Sequence, residues 1–103
     1  MKIPELPVVE ICGTKFFVDT RLYELRQVTN PFNTISFHDL AKNDKGFVLI
    51  YDMQILNLFL GSEEEFIDRK DLQTIQLPTI EEMDPVGFIE MCREDSRQIR
   101  LGR

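Results

Sequence analysis

The sequence predicts an α+β domain: an antiparallel β-meander of about five to seven strands, with two helices in the C-terminal half. Three observations carry this expectation. Short β-branched and aromatic runs, separated by Gly, Asn and Asp turn signals, fill the first sixty residues. An unalternated apolar run, Phe47–Tyr51, lies in the middle of the chain. Two helix-start signatures, Ser62-Glu63-Glu64-Glu65 and Asp84-Pro85, appear only after residue 60. Strands first and helices later is the α+β order.

Residues 8–11 and 14–18 flank Cys12-Gly13, which reads as a tight hairpin whose glycine supplies positive φ. Residues 22–28 are too few for a stable helix before Asn30-Pro31 and are assigned to a strand. Asn30-Pro31-Phe32-Asn33 has turn composition, and Thr34–Phe37 alternates with Ile35 and Phe37 on one face. Lys42-Asn43-Asp44-Lys45-Gly46 is the strongest turn signal. It leads into Phe47–Tyr51, expected as a central strand covered on both faces. Residues 55–60 fit either a short helix or a buried strand; the strand is favoured because Phe47–Tyr51 needs a hydrogen-bonding neighbour.

Ser62 with Glu65 forms a capping box for a helix over about 63–69. Leu72–Leu77 reads as a strand stopped by Pro78. Asp84 as N-cap and Pro85 at the first helical position open a helix over about 85–95. Residues 1–95 thus form one domain, and 96–103, with two apolar residues, are expected to be a flexible tail.

Composition narrows function by exclusion. Eight of the ten aromatic residues are Phe and none is Trp, which points to core filling before sugar or base stacking. Two cysteines 80 residues apart suit a reducing compartment, and no apolar run reaches membrane-spanning length. The prolines and glutamates of the first ten residues do not fit a signal peptide. The expected location is cytoplasmic.

The formal net charge is −6. Residues 63–90 hold nine acids and two bases, whereas the last eleven residues carry a net +2. An acidic body disfavours direct nucleic-acid binding, which needs clustered Lys and Arg. One histidine and two unclustered cysteines offer no metal site, and no phosphate-binding or nucleophile-elbow motif is present. No cofactor or small molecule is implied.

Two groups of residues could carry chemistry. Cys12, at a turn, could act as a nucleophile with His38 and Asp39. The plain alternative is a small residue in a turn and a histidine in a loop. Glu63, Glu64, Glu65, Asp68, Glu81, Glu82 and Asp84 could form an acidic docking surface. Capping and helix-dipole complementarity explain the acids at 63–65 without a partner, and those at 81–84 only in part.

The expectation is a non-enzymatic accessory protein that binds another macromolecule through an acidic or apolar surface. A small enzyme using Cys12 or His38/Asp39 is the first alternative; a nucleic-acid-mimicking inhibitor of a DNA-binding protein is the second. Helix 85–95 and segment 47–60 present more apolar surface than the predicted elements can cover, which points to a protein partner or a two-fold homodimer.

Overall fold

The computed structural model describes the backbone of residues 6–101 and the side chains of residues 6–93. Four strands form the first antiparallel sheet in chain order: β1 (Val8–Ile11), β2 (Thr14–Asp19), β3 (Glu24–Gln27) and β4 (Asn30–Ser36). A 3-10 turn, Phe37–Asp39, leads to the second sheet. Its strands are β5 (Ala41–Asn43), β6 (Gly46–Asp52), β7 (Asn57–Leu58) and β8 (Leu72–Leu77). Three helices follow residue 62: α1 (Glu63–Asp68), α2 (Ile80–Met83) and α3 (Pro85–Leu101).

The β1–β2 hairpin turns at Cys12 (φ 49°) and Gly13 (φ 85°). Positive φ at both central residues is the geometry whose twist matches a two-residue hairpin. Only Gly13 adopts it without a Cβ penalty; Cys12 carries the cost.

The two sheets bury one core between them. Phe16 and Val18 of β2, Leu25 of β3 and Ile35 of β4 meet Phe47, Leu49 and Tyr51 of β6 and Leu77 of β8. Phe16 and Tyr51 meet edge to face, 6.2 Å between centroids. Each such side chain contributes about 1.5–3 kcal/mol over leaving it in water. Burial raises the pKa of the Tyr51 phenol, whose hydroxyl has no hydrogen-bond partner among the described residues.

Strand β6 is central, as its apolar run predicts. Phe47–Asp52 pair with Leu77–Leu72 of β8 on one side, while β5 and β7 divide the other. Its two faces are unequal: Phe47, Leu49 and Tyr51 are buried, whereas Val48 and Ile50 are half-buried.

Several elements depart from the sequence reading. The meander is split into two sheets, and eight strands are formed among the described residues. Residues 30–33 are not a turn but the start of β4; the reversal falls at Val28-Thr29, and a register irregularity between Arg26 and Gln27 accommodates it. Pro31 is tolerated because β4 lies at a sheet edge, where its missing N–H breaks no ladder bond. Segment 55–60 is not a buried strand. Only Asn57–Leu58 pair with β6, and Ile55 and Leu60 are exposed. The side chains of Asn33 and Asn57 bond each other there and also bind the carbonyls of Leu56 and Thr34, joining the sheets.

Helix α2 is an additional element, and Thr79-Ile80-Glu81-Glu82 is itself a capping box: Thr79 Oγ1 accepts from the Glu82 amide at 3.2 Å. Helix α3 continues to Leu101, so residues 96–101, assigned to the tail, are helical; 102–103 lie outside the described residues.

Candidate interaction surface

The predicted acids do not form one surface. Helices α1 and α2 lie at opposite ends of β8, whose six residues span about 20 Å. Glu63, Glu64, Glu65 and Asp68 are exposed together on α1; Glu81 and Glu82 are exposed at the far end on α2. Asp84 is buried. It accepts from Thr20 Oγ1 at 2.7 Å and, as the N-cap of α3, from the Gly87 amide at 3.1 Å.

Helix α1 is built as the sequence predicts at its start: Ser62 Oγ accepts from the Glu65 amide at 3.3 Å. Six residues with one cap make a marginal helix, and α1 buries none of them. It is held instead at its root by Arg69. The Arg69 guanidinium donates Nη2 to Asp52 Oδ1 at 2.6 Å, Nη1 to Asp52 Oδ2 at 3.2 Å and Nε to Asp71 at 2.7 Å. This forked geometry is specific to Arg. The bonds to Arg69 hold the Asp52 and Asp71 carboxyls below their ordinary range, and the same bonds raise Arg69. The guanidinium carbon also lies 5.9 Å from the Phe59 ring centre, and Phe59 meets Phe66 of α1 at 6.3 Å.

This rooted helix and the Leu60 before its cap expose apolar side chains that the charges do not predict. Leu60 is 86% exposed, Ile67 78% and Phe66 40%. The acids of α1 therefore flank the exposed pair Phe66-Ile67 on one short helix. Adjacent Phe66-Ile67 is the sequence signal: on a two-turn helix two neighbours lie about 100° apart, so a single core contact cannot bury both. No sequence pattern links Asp52, Arg69 and Asp71; the antiparallel pairing of β8 with β6 brings them together.

The cysteine and histidine candidates are not brought together. Cys12 is at the β1–β2 turn, and His38 follows β4, at the opposite end of the first sheet. The length of β2 separates those ends by about 20 Å. His38 stacks on Tyr23 at 4.6 Å between ring centres, a packing contact at the lip of the core. Cys12 and Cys92 are both exposed and free. Beside the Cys12 turn, Gly13, Thr14, Lys15, Gln27, Val28 and Thr29 line an open groove with one charged side chain.

Among the described residues, no group of three or more His, Cys, Asp or Glu is placed to hold a metal, and no helix is long and apolar enough to cross a membrane. Comparison with protein-family models, with curated proteins and with solved structures finds no match.

Proposed function

We propose that the protein is a non-enzymatic interaction module, and that Leu60 and helix α1 bind a basic, amphipathic segment of a partner protein. One observation carries this reading: a capped and Arg-anchored helix holds Phe66 and Ile67 in solvent among Glu63, Glu64, Glu65 and Asp68, with exposed Leu60 just before its cap. A helix that contributes nothing to the core but is fixed at its root has its contacts to make elsewhere. Large apolar side chains supply affinity at a protein interface, and the acidic surround steers a basic partner and sets specificity. Anchoring by Asp52 and Asp71 lowers the ordering cost of association.

The separation of Cys12 from His38 favours this reading over a nucleophile that pairs the two. The acids themselves fit a protein partner better than phosphate mimicry, since apolar side chains interrupt them.

The test uses two designed helical peptides of identical apolar pattern, one Leu/Lys and one Leu/Glu, followed by fluorescence anisotropy. The Leu/Lys peptide should bind, weakening several-fold as salt shortens the screening length from about 14 Å to about 5 Å. Leu60→Ser and Ile67→Ser should each weaken binding about tenfold, a 1.4 kcal/mol loss, with an unchanged melting temperature. Equal binding of the Leu/Glu peptide, or no effect of the serine substitutions, would overturn the proposal.

A further inference from the structure

We infer that the free edge of β8 pairs antiparallel with β8 of a second copy, about a two-fold axis through Thr74. This edge differs in chemistry from the Leu60–Ile67 surface: it offers backbone groups rather than side chains.

The backbone bonds show which groups are free. Met53 N donates to Asp71 O, so the odd-numbered residues of β8 face β6. Phe59 N donates to Ile50 O, so Ile50, the register partner of Thr74, faces away from β8. In an antiparallel pair both backbone groups of a residue point to the same side, and successive residues alternate. The N–H and C=O groups of Leu72, Thr74 and Gln76 therefore point away from β6. Among the described residues β8 has no other strand neighbour.

Natural sheets blunt such edges with charge, proline, a bulge or shortness. The other edges of this protein follow that practice. Strand β1 has four residues and carries Glu10; β4 contains Pro31 and is tied to the β7 loop through Asn33 and Asn57. Strand β5 has three residues and carries Lys42. Strand β8, Leu-Gln-Thr-Ile-Gln-Leu, has six residues, no charge, no proline and an unbroken register with β6. Its outward Gln76 side chain bends back to Asn43 and to the carbonyls of Phe47 and Leu77, which leaves the edge clear.

A second copy fits this edge because the free groups are self-complementary. A two-fold axis normal to the sheet pairs residues whose numbers have the same parity, which keeps both cores on one face of the joined sheet. Centred on Thr74, it sets Leu72 against Gln76 of the partner subunit, Thr74 against its own copy, and Gln76 against the partner's Leu72. Every outward N–H and C=O is then matched. A shift to centre on Ile75 would oppose Leu72 to a proline, which cannot donate. Thr opposite Thr is a favourable cross-strand pair, and no charge faces a like charge within the strand.

The edge is narrow, so association should be weak and visible only at high concentration. Each copy carries a net charge of −6, so it should strengthen with salt, the reverse of what an acidic surface binding a basic partner would show. Sedimentation equilibrium from about 10 μM to about 1 mM, the range of weak association, reads this directly. The expected result is a 12.1 kDa species at the low end and a growing dimer fraction at the high end.

Two variants locate the contact. Thr74→Lys places like charges on the axis, and Thr74→Pro removes an N–H that points away from β6; both should weaken association at least tenfold while keeping the wild-type melting temperature. Selective broadening of the Leu72, Thr74 and Gln76 amides with concentration should accompany dimerisation. A monomer throughout, or a dimer unaffected by Thr74→Lys, would overturn the inference. Binding only of an unrelated β-strand peptide, with no self-association, would also overturn it.

Discussion

Replacing Asp84 with Ala should destabilise the domain by about 3 kcal/mol, because this one carboxylate joins the first sheet to α3. It is buried, and each of its oxygens has a partner: Thr20 Oγ1 at 2.7 Å and the Gly87 amide at 3.1 Å. Loss of an N-cap costs about 0.5–2 kcal/mol. Loss of a hydrogen bond to a charged group costs about 1.5–3 kcal/mol. With a urea dependence near 1.5 kcal/mol per molar, the denaturation midpoint should fall by about 2 M. A domain of this size has about 5–15 kcal/mol to lose, so the variant should remain folded in buffer.

A double-mutant cycle then separates the two bonds. In a Thr20→Val background, Asp84→Ala should cost only the cap, about 1 kcal/mol. The coupling between the two sites should therefore be about 2 kcal/mol. Additivity of the two substitutions within about 0.5 kcal/mol would show that the Thr20–Asp84 bond does not hold α3 to the sheet.

Gly87→Ala should destabilise by about 1–3 kcal/mol although alanine favours helices, since its Cβ would meet the Asp84 carboxylate and approach the Thr20 Cβ to 3.0 Å; a higher melting temperature would contradict this. Cys12→Asn should stabilise by about 0.5–1 kcal/mol, because Asn tolerates the left-handed conformation seen at φ 49°; a lower urea midpoint would count against that turn geometry. The anchor of α1 should be sensitive to acid. The folded-state pKa values of Asp52 and Asp71 lie below their unfolded value near 3.8, so their contribution is complete above that pH and is lost as pH falls through the lower folded values. Phe66 relaxation followed by NMR should report looser α1 packing there, and Arg69→Met should abolish the pH dependence. Amide exchange should place β6 at the global unfolding free energy and α1 well below it, since α1 buries no residue; equal protection of both would refute the claim that α1 is held only at its root.

The sequence was most legible where one local signal had no competitor. Cys12-Gly13, the Phe47–Tyr51 run, Ser62-Glu65 and Asp84-Pro85 each specify backbone geometry within a few residues, and each is found where expected. It was least legible where local composition met a sheet edge. Asn30-Pro31 reads as a turn, but an edge strand needs no N–H from Pro31. Ile55–Leu60 reads as buried, but β5 and β7 share one side of β6, and little pairing length remains for the segment. Of the acidic candidates, Glu63, Glu64, Glu65 and Asp68 lie together and exposed on α1, as charge suggests. Charge gave no sign that Asp84 faces inward or that Glu81 and Glu82 stand a strand length away. The anchor Asp52–Arg69–Asp71 depends on the long-range pairing of β8 with β6, which no local pattern encodes.

The independence of α1 from the core has a consequence for how this chain can change. Residues 60–68 are all exposed, so apart from Gly61, where a Cβ would meet the Phe59 ring, and Phe66, which packs on it, substitutions there meet few of the packing constraints that bind β2 or β6. Among the described residues, Phe59 and Arg69, together with the two carboxylates that hold Arg69, fix where the segment stands. The stretch between them can thus be rewritten, lengthened or exchanged while the sandwich keeps its melting behaviour. In engineering terms it is a graft site with a ready-made base, where a new sequence inherits a defined take-off point without having to fold the protein.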